Sequence, residues 1–207
     1  DILTSQNLIQ QGLVIDKLLE SLIVDKSVKL DDMLIGDKNA IMVAARILGY
    51  GKDYEFTYDG VEQTVDLSIL EPEKMDFSKF TKGQNLFNFK LPNSEREITF
   101  KLLTGGDEKN IAAEVKAKEK VSKEQSFELT TRLKNMIISV DGKSDKAYIN
   151  NFVDNEFLSI DSLAFREYLT SITPDVDMTT KVVDSTGKES EVTIPVTLRF
   201  FWPSTGV

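Results

Sequence analysis

Residues 35–67 read IGDKNAIMVAARILGYGKDYEFTYDGVEQTVDL, and this stretch decides the expected fold class. Its first half predicts a helix, with Asp37 as the N-cap and Gly49 where a left-handed C-terminal cap needs a residue without Cβ. Its second half alternates apolar and polar residues around Asp59-Gly60, a pair that favours a two-residue hairpin turn. A helix that leads directly into a hairpin predicts an α+β fold instead of alternating β-α units.

The rest of the chain extends this pattern on both sides. We expect a single α+β domain over residues 1–207, with a helical core and about three antiparallel hairpins. The expected parts, in chain order, are a helical part at 1–50, hairpins at 53–104, a helical part at 107–172 and a C-terminal hairpin at 176–203.

The second helical part contains two start signals. Asp107 follows two glycines and is expected to cap the first helix. Residues 122–125 match a capping box for the next helix. In this motif, the side chains of the first and fourth residues each accept a hydrogen bond from the backbone N–H of the other. The buried stripe expected on that next helix consists of Leu129, Leu133, Met136 and Ile137.

The C-terminal stretch predicts an apolar strand from Val192 to Trp202, because every even position in it is apolar. Phe201 breaks the otherwise polar odd face. If its ring faces outward, it is the best single anchor for a partner, since aromatic residues are enriched at interface hot spots. The candidate interface residues are therefore Phe200, Phe201, Trp202 and Pro203.

Composition excludes several classes of function. The formal net charge of −9 argues against a nucleic-acid partner, whose binding depends largely on Lys and Arg neutralising phosphates. No apolar run approaches the roughly 20 residues that a membrane-spanning helix needs, so no membrane partner is expected. Cys and His are absent, which excludes disulfides, thiol nucleophiles, His-based acid–base pairs and the usual zinc sites.

The remaining chemistry candidates are weak. Asp31-Asp32 and the pair Asp175 and Asp177 are tight carboxylate pairs, but neither belongs to a recognisable cation-binding loop. Arg46 interrupts an apolar helix and is expected to extend its charge to solvent or to pair with a carboxylate, with ligand binding as the alternative. We therefore predict no enzymatic activity, no catalytic residues, no metal and no cofactor.

Five stretches, taken in order, carry a family resemblance. They are DILTSQNLIQQGLVIDKLL (1–19), LIGDKNAIMVAARILGYGKDY (34–54), MIISVDG (136–142), DSLAFREYLTSITPDVDM (161–178) and IPVTLRFFWP (194–203). They are distributed from the first residues of the sequence to residue 203. In these stretches the chain resembles the baseplate hub protein family of T-even-type contractile-tailed bacteriophages. The family-motif residues in the second stretch are Gly36, Asp37, Asn39, Arg46, Gly49, Tyr50 and Gly51.

The resemblance implies a non-enzymatic structural subunit of the phage tail baseplate hub that acts through protein–protein contacts. The alternative is a hub assembly factor that leaves before the virion is mature. The implied partners are other baseplate and tail proteins, with a homo-oligomer as a further option. The implied location is the tail baseplate of the virion, after assembly in the bacterial cytoplasm.

The chain departs from the family pattern in two respects. Members often carry Cys pairs in their hairpins, whereas the corresponding turns in this chain read YDGVEQ and VDSTGKE. Metal-dependent properties of the family are therefore not expected. Members also have an extended arm before the DILTS motif, and the sequence begins within that motif. An N-terminal arm that makes partner contacts is thus expected outside the sequence.

Overall fold

A computed structural model describes residues 14–72, 77–120, 127–196 and 198–201 of the chain. Within these ranges, helices are combined with three small antiparallel sheets, which confirms the predicted α+β class. The start of the first expected helical part and the capping box at 122–125 lie outside the described residues. None of the helices in the described ranges has both the length and the apolar character required to cross a bilayer.

Helices and strands follow one another in an irregular order along the described chain. The α-helices are α1 (Val14–Leu22), α2 (Ile35–Tyr50), α3 (Gly105–Glu119), α4 (Glu128–Met136), α5 (Lys146–Asn151), α6 (Ser159–Ile172) and α7 (Leu198–Phe201). The strands are β1 (Asp53–Tyr58), β2 (Val61–Asp66), β3 (Phe87–Lys90), β4 (Glu97–Phe100), β5 (Ile137–Val140), β6 (Thr179–Val183) and β7 (Glu189–Thr193). Short 3₁₀ turns cover Leu30–Asp32, Leu67–Ile69 and Phe77–Lys79, and a π-helical turn covers Phe152–Glu156.

The described residues divide into two compact units. Unit 1 contains those within 1–30, 36–73 and 175–207, and therefore holds most of α2 together with the hairpins β1–β2 and β6–β7. Unit 2 contains those within 31–35 and 74–174, with the sheet of β3, β4 and β5.

The β1–β2 hairpin of unit 1 has the predicted register and turn. Its strands pair from Asp53 opposite Asp66 to Tyr58 opposite Val61. The turn residue Asp59 has φ of 48° and Gly60 has φ of 76°. Two consecutive positive φ values suit the right-handed twist of the flanking strands, which is why an Asp-Gly pair occurs at this turn.

A side chain joins this hairpin to β6. The amide nitrogen of Gln63 donates to the carbonyl oxygen of Val183 at 2.8 Å, and the Val183 N–H donates to the Gln63 amide oxygen at 3.2 Å. The Gln63 side chain thus satisfies the backbone groups of β6 as a neighbouring strand would.

The core of unit 1 forms between α2, the β1–β2 hairpin and the C-terminal residues. Its buried members are Val43, Tyr54, Val65, Leu67, Ile194, Phe200 and Phe201. The hydroxyl of Tyr54 donates to the carbonyl oxygen of Pro195 at 2.9 Å, so the polar tip of this buried ring is satisfied.

In unit 2 the second predicted hairpin forms as expected and gains a third strand. β3 pairs with β4, and β4 also pairs with β5. The prediction that Ile137 continues the buried stripe of a helix is wrong, because α4 ends at Met136 and Ile137 begins β5. The run Ile137-Ile138-Ser-Val140 is rich in β-branched residues, which pack well in a sheet. The expected helical part at 107–172 therefore contains a strand.

An aromatic cluster fills the core of unit 2. Phe100 and Phe165 are fully buried, with ring centroids 4.9 Å apart at 82°. Phe89 stacks on Tyr168 at 4.7 Å. Edge-to-face and offset arrangements of this kind add to the free energy gained from burial alone. In α6, Phe165 and Ile172 are seven residues apart, which places both of these buried side chains on one face of the helix.

The ends of α2 differ from the prediction. The helix begins at Ile35, so Asp37 lies in its first turn and is not the N-cap. There its carboxylate complements the positive end of the helix dipole. Gly49 lies within the helix, and the residue with a left-handed backbone is Gly51, with φ of 82°. The helix therefore continues beyond the glycine that we expected to end it.

The start of α3 also differs. Thr104, and not Asp107, is the N-cap. The Thr104 hydroxyl accepts from the Asp107 N–H at 3.3 Å, and the Asp107 carboxylate accepts from the Thr104 N–H at 3.1 Å. Both hydrogen bonds of a capping box are thus present, with Asp107 in its third position.

The C-terminal strand is shorter than predicted. β7 ends at Thr193, and α7 begins at Leu198. The hairpin expected at 176–203 therefore spans only residues 179–193, and the predicted continuation of its second strand to Trp202 is wrong. Pro195 lacks a backbone N–H and cannot donate to a strand ladder, which explains why the sheet stops before it.

Candidate functional site

The sequence predicts that the four C-terminal interface candidates lie on a strand. The two that the structure describes, Phe200 and Phe201, lie in helix α7. Phe200 and Phe201 are 0% and 2% exposed, and their ring centroids are 5.1 Å apart. Phe200 also packs edge-on against Tyr54 at 4.9 Å. The condition under which Phe201 would anchor a partner is not met, because its ring is buried in the core of unit 1. Consecutive residues of a short helix do not alternate between two faces as those of a strand do. Trp202 and Pro203 lie outside the described residues.

Arg46 lies near the C-terminal end of α2 and is only 3% exposed. Its two terminal nitrogens donate to the carbonyl oxygens of Gly51 at 2.8 Å and Asp53 at 3.0 Å. Its guanidinium lies over the rings of Tyr50 and Tyr54, at 5.3 and 5.8 Å. The predicted solvent exposure or carboxylate pairing is therefore wrong. Backbone carbonyl oxygens carry partial negative charge, and the C-terminal end of a helix also favours a cation, so both stabilise the buried guanidinium of Arg46.

Three of the family-motif residues, Arg46, Tyr50 and Gly51, thus lie together at one end of α2. Towards the other end, the side-chain amide of Asn39 donates to the Asp175 carboxylate at 2.9 Å. Gly36 is buried and Gly49 is exposed. The family-motif residues therefore lie along the whole length of α2 and do not form a single site.

A cleft of about 520 Å³ lies beside Arg46 in unit 1, and we call it the strand cleft. Five consecutive residues, 53–57, line it from β1. Successive side chains of a strand point to opposite faces, so a cleft over one face would expose every second residue. The unbroken run therefore places the strand cleft along the edge of β1. The other lining residues are Arg46, Glu62, Pro195 and Arg199.

The hydrogen bonds show which residues of β1 point towards this edge. The Lys52 carbonyl accepts from Leu67 at 2.8 Å on the β2 side, whereas the Asp53 carbonyl accepts from Arg46. Since backbone groups alternate in direction along an antiparallel strand, Glu55 and Thr57 also direct their N–H and C=O groups away from β2. Among the described residues, nothing beyond the β1–β2 ladder hydrogen-bonds to the backbone of Glu55 or Thr57.

Three carboxylates and two guanidinium groups line the strand cleft. In the part of the chain that the structure describes, no ion pair involves Asp53, Glu55 or Glu62, none involves Arg46 or Arg199, and the Nε of Arg46 is buried without a hydrogen-bond partner. By contrast, Asp66 at the end of β2 is paired with Lys52. Its pKa falls to about 2, because Lys52 and Ser68 donate to its carboxylate.

A second cleft of about 620 Å³ also lies in unit 1, and we call it the hairpin groove. Its apolar lining comes from Met42, Val176, Met178, Ile194 and Val196. The hydrogen-bonded pair of Asn39 and Asp175 contributes polar atoms, and Pro195 lines both clefts. Clefts with apolar walls and a few placed polar groups are typical of binding surfaces.

Three of the four carboxylates in the two pairs from the sequence, those of Asp31, Asp175 and Asp177, have partners within the protein. Asp31 forms an ion pair with Lys109 at 2.6 Å. Asp177 accepts from the hydroxyl and N–H of Thr179, which lowers the pKa of Asp177, and Asp175 accepts from Asn39. Over the described ranges, no group of three or more Asp or Glu side chains is placed to hold a metal ion. These carboxylates therefore act in loop structure and in ion pairs.

Sequence reasoning missed one buried carboxylate. Asp161, in the first turn of α6, is 0% exposed. One of its oxygens accepts from the N–H and the amide group of Asn93, and the other accepts from the N–H of Ser94, at 2.8 to 3.0 Å. Burial raises the pKa of Asp161, but the hydrogen bonds from Ser94 and Asn93 outweigh burial and leave the pKa below its usual value. Asp161 therefore holds the turn between β3 and β4.

Sequence reasoning also missed the open edge of β1. The alternating pattern shows that β1 is a strand but does not show which of its edges is covered. For Asp161, the available signal is an Asp near a helix start, which on its own favours a role at that helix end.

Comparison of the chain with protein-family models, with curated proteins and with solved structures gave no match.

Proposed function

We propose that the chain is a non-enzymatic protein-binding subunit, and that it belongs to the tail baseplate hub of a T-even-type phage. The observation that carries the binding role is the strand cleft, in which a strand edge with unpaired backbone groups lies beside charges that are uncompensated within the described ranges. Such an edge is a template for pairing with another chain.

The resemblance of five ordered stretches supports the hub assignment. The second stretch, 34–54, supplies both α2 and the first residues of β1, and Arg46 joins the two through its bonds to Gly51 and Asp53. The family-motif residues thus include the contact that positions the start of the proposed binding edge. The proposal includes other baseplate proteins as partners and the virion baseplate as the location.

The test is to quantify the chain by mass spectrometry in particles purified from the phage that encodes it. A structural subunit is expected at a fixed ratio to the other baseplate proteins. Absence from intact particles would overturn the structural role. Presence in baseplate precursors combined with absence from mature particles would instead support the assembly factor. The matched control is a known capsid protein measured in the same samples.

A further inference from the structure

We infer that the strand cleft binds an extended, Lys- or Arg-bearing segment of a partner protein, which adds to the edge of β1 as a further strand. The inference rests on the proposed protein-binding role but not on the baseplate assignment.

The backbone supplies the first part of the recognition. Glu55 and Thr57 each direct one N–H and one C=O towards the cleft, so a neighbouring strand can form up to about four hydrogen bonds with them. Arg46 already occupies the carbonyl of Asp53. The free edge therefore begins at Glu55, and the added strand pairs with the part of β1 nearer the turn.

The cleft has room for such a segment. Its volume of about 520 Å³ lies inside the range of roughly 300–1,000 Å³ that is common for ligand sites. It follows the strand over five consecutive residues, which is the shape that an extended chain requires.

Charge supplies the second part of the recognition. In the β1–β2 register, Glu55 is opposite Thr64 and Thr57 is opposite Glu62, so Glu55 and Glu62 are diagonal neighbours on one face of the hairpin. Neither carboxylate has an ion-pair partner among the described residues, and both line the cleft. A cationic side chain on the added strand would lie next to Glu55, and a long one would extend across Thr57 towards Glu62 on β2, which gives electrostatic complementarity.

The same charges argue against a second copy of this chain. Pairing of two β1 edges would bring Glu55 of each copy close to the acidic residues of the other, and like charges on adjacent strands are destabilising. The other edge of the hairpin is engaged within the chain, where Gln63 of β2 bonds to Val183 of β6. The β1 edge with a cationic partner is thus the arrangement that the observations favour.

The test uses the complete chain and a seven-residue peptide that alternates lysine with valine and threonine. NMR hydrogen exchange at Glu55 and Thr57 is measured with and without saturating peptide. We expect the exchange of both amides to slow at least fivefold. A peptide of the same sequence with every backbone nitrogen methylated, and one with glutamate in place of lysine, should slow it less than twofold.

The matched protein variants are Thr57→Pro and Thr57→Ala. Proline removes the outward N–H of residue 57 without removing a bond to β2, whereas alanine keeps that N–H. We expect Thr57→Pro to weaken peptide binding at least tenfold and Thr57→Ala to weaken it less than threefold. If Thr57→Pro does not fold, the methylated peptide on the unaltered chain still gives the decision.

Unchanged exchange at Glu55 and Thr57 in millimolar peptide, or equal binding of the methylated peptide, would overturn the inference. Incorporation into phage particles is then measured for both variants. This measurement distinguishes a failure of the hub proposal from a failure of the strand-addition proposal. Particles that contain the unaltered chain and Thr57→Pro equally would leave the hub role standing without the strand-addition site. Peptide binding by a chain absent from particles would leave the site standing without the structural role.

Discussion

The two units use opposite charges for the same local task. In unit 1, the buried cation Arg46 near the C-terminal end of α2 binds two carbonyl oxygens of the following segment. In unit 2, the buried anion Asp161 in the first turn of α6 binds the N–H groups of Asn93 and Ser94. Each charge has the sign that the adjacent helix end favours. A buried charge therefore fixes a neighbouring loop to a helix in both units.

The difference lies in what surrounds each charge. Both oxygens of Asp161 are hydrogen-bonded, and the carboxylate is fully enclosed by the fold. Among the described residues, Arg46 keeps a nitrogen without a partner, and it lines a cleft along the open edge of β1. Unit 2 thus encloses its buried charge, whereas unit 1 places its buried charge next to the open edge of a strand.

The largest expected effect comes from Phe201→Ala in unit 1. Removing a fully buried aromatic ring from a core costs about 3–5 kcal/mol. We expect the free energy of unfolding, measured in urea by circular dichroism, to fall by that amount. Leu48→Ala is the control, because Leu48 is 88% exposed, and it should change stability by less than about 0.5 kcal/mol. A small loss for Phe201→Ala would show that the ring does not belong to the core.

Asp161→Asn in unit 2 is expected to have the next largest effect. The amide can no longer accept from both Asn93 and Ser94, and a hydrogen bond to a charged group contributes about 1.5–3 kcal/mol. We expect a loss of this size in urea unfolding. The variant Asp154→Asn is a control, since the side chain of Asp154 is 45% exposed, unlike that of Asp161, although it also pairs with a cation, Lys134.

Asp161 should also produce a pH dependence. Its folded pKa lies below the usual value of 3.8, so the unfolded chain binds the proton more readily. The stabilisation is complete above the unfolded pKa and is lost as the pH falls through the folded pKa. Urea midpoints measured from pH 6 to pH 2 should therefore fall less steeply in Asp161→Asn than in the unaltered chain. Parallel curves would contradict this role for Asp161.

Arg46→Lys tests the corresponding contact in unit 1 and should cost somewhat less. An ammonium group does not span two carbonyls in the fixed geometry of a guanidinium, so one hydrogen bond to a charged donor is lost, at about 1.5 kcal/mol. Hydrogen exchange should show the loss around Gly51 and Asp53. No change at these residues would show that the carbonyl bonds contribute nothing.

The smallest expected effect is that of Gly60→Ala. Gly60 has φ of 76°, and a residue with Cβ in the left-handed region costs about 1 kcal/mol. Thermal unfolding should show a decrease of a few degrees. Gly49→Ala is the matched control, since Gly49 lies within α2 with open space at its Cβ, and alanine there should be neutral or stabilising. Equal effects would contradict the assigned turn.

The features that could be predicted from the sequence are those that depend on local pattern. The Asp59-Gly60 turn and the β1–β2 register are confirmed because each follows from neighbouring residues. The stripe of apolar residues that leads up to Ile137 predicts a helix at that position. The strand conformation of Ile137 depends instead on pairing with Phe100, which is distant in the sequence.

The site residues show the same division. Arg46 is unusual in the sequence because its neighbours are apolar. Its partners are backbone carbonyl oxygens, which every residue has, so the sequence does not indicate which of them it binds. The C-terminal stretch alternates like a strand up to Trp202, yet the described chain is helical from Leu198. In unit 1 the burial of consecutive aromatic residues outweighs the alternating pattern.

The most direct test of the open edge is amide hydrogen exchange along β1 in the free, complete chain. We predict an alternation in which Tyr54 and Phe56, whose N–H groups point to β2, exchange slowly. Glu55 and Thr57, whose N–H groups point to the strand cleft, should exchange at least about 100-fold faster, since a backbone hydrogen bond in a sheet slows exchange strongly. Equal protection of all four amides would contradict the central claim that this edge is open for a partner.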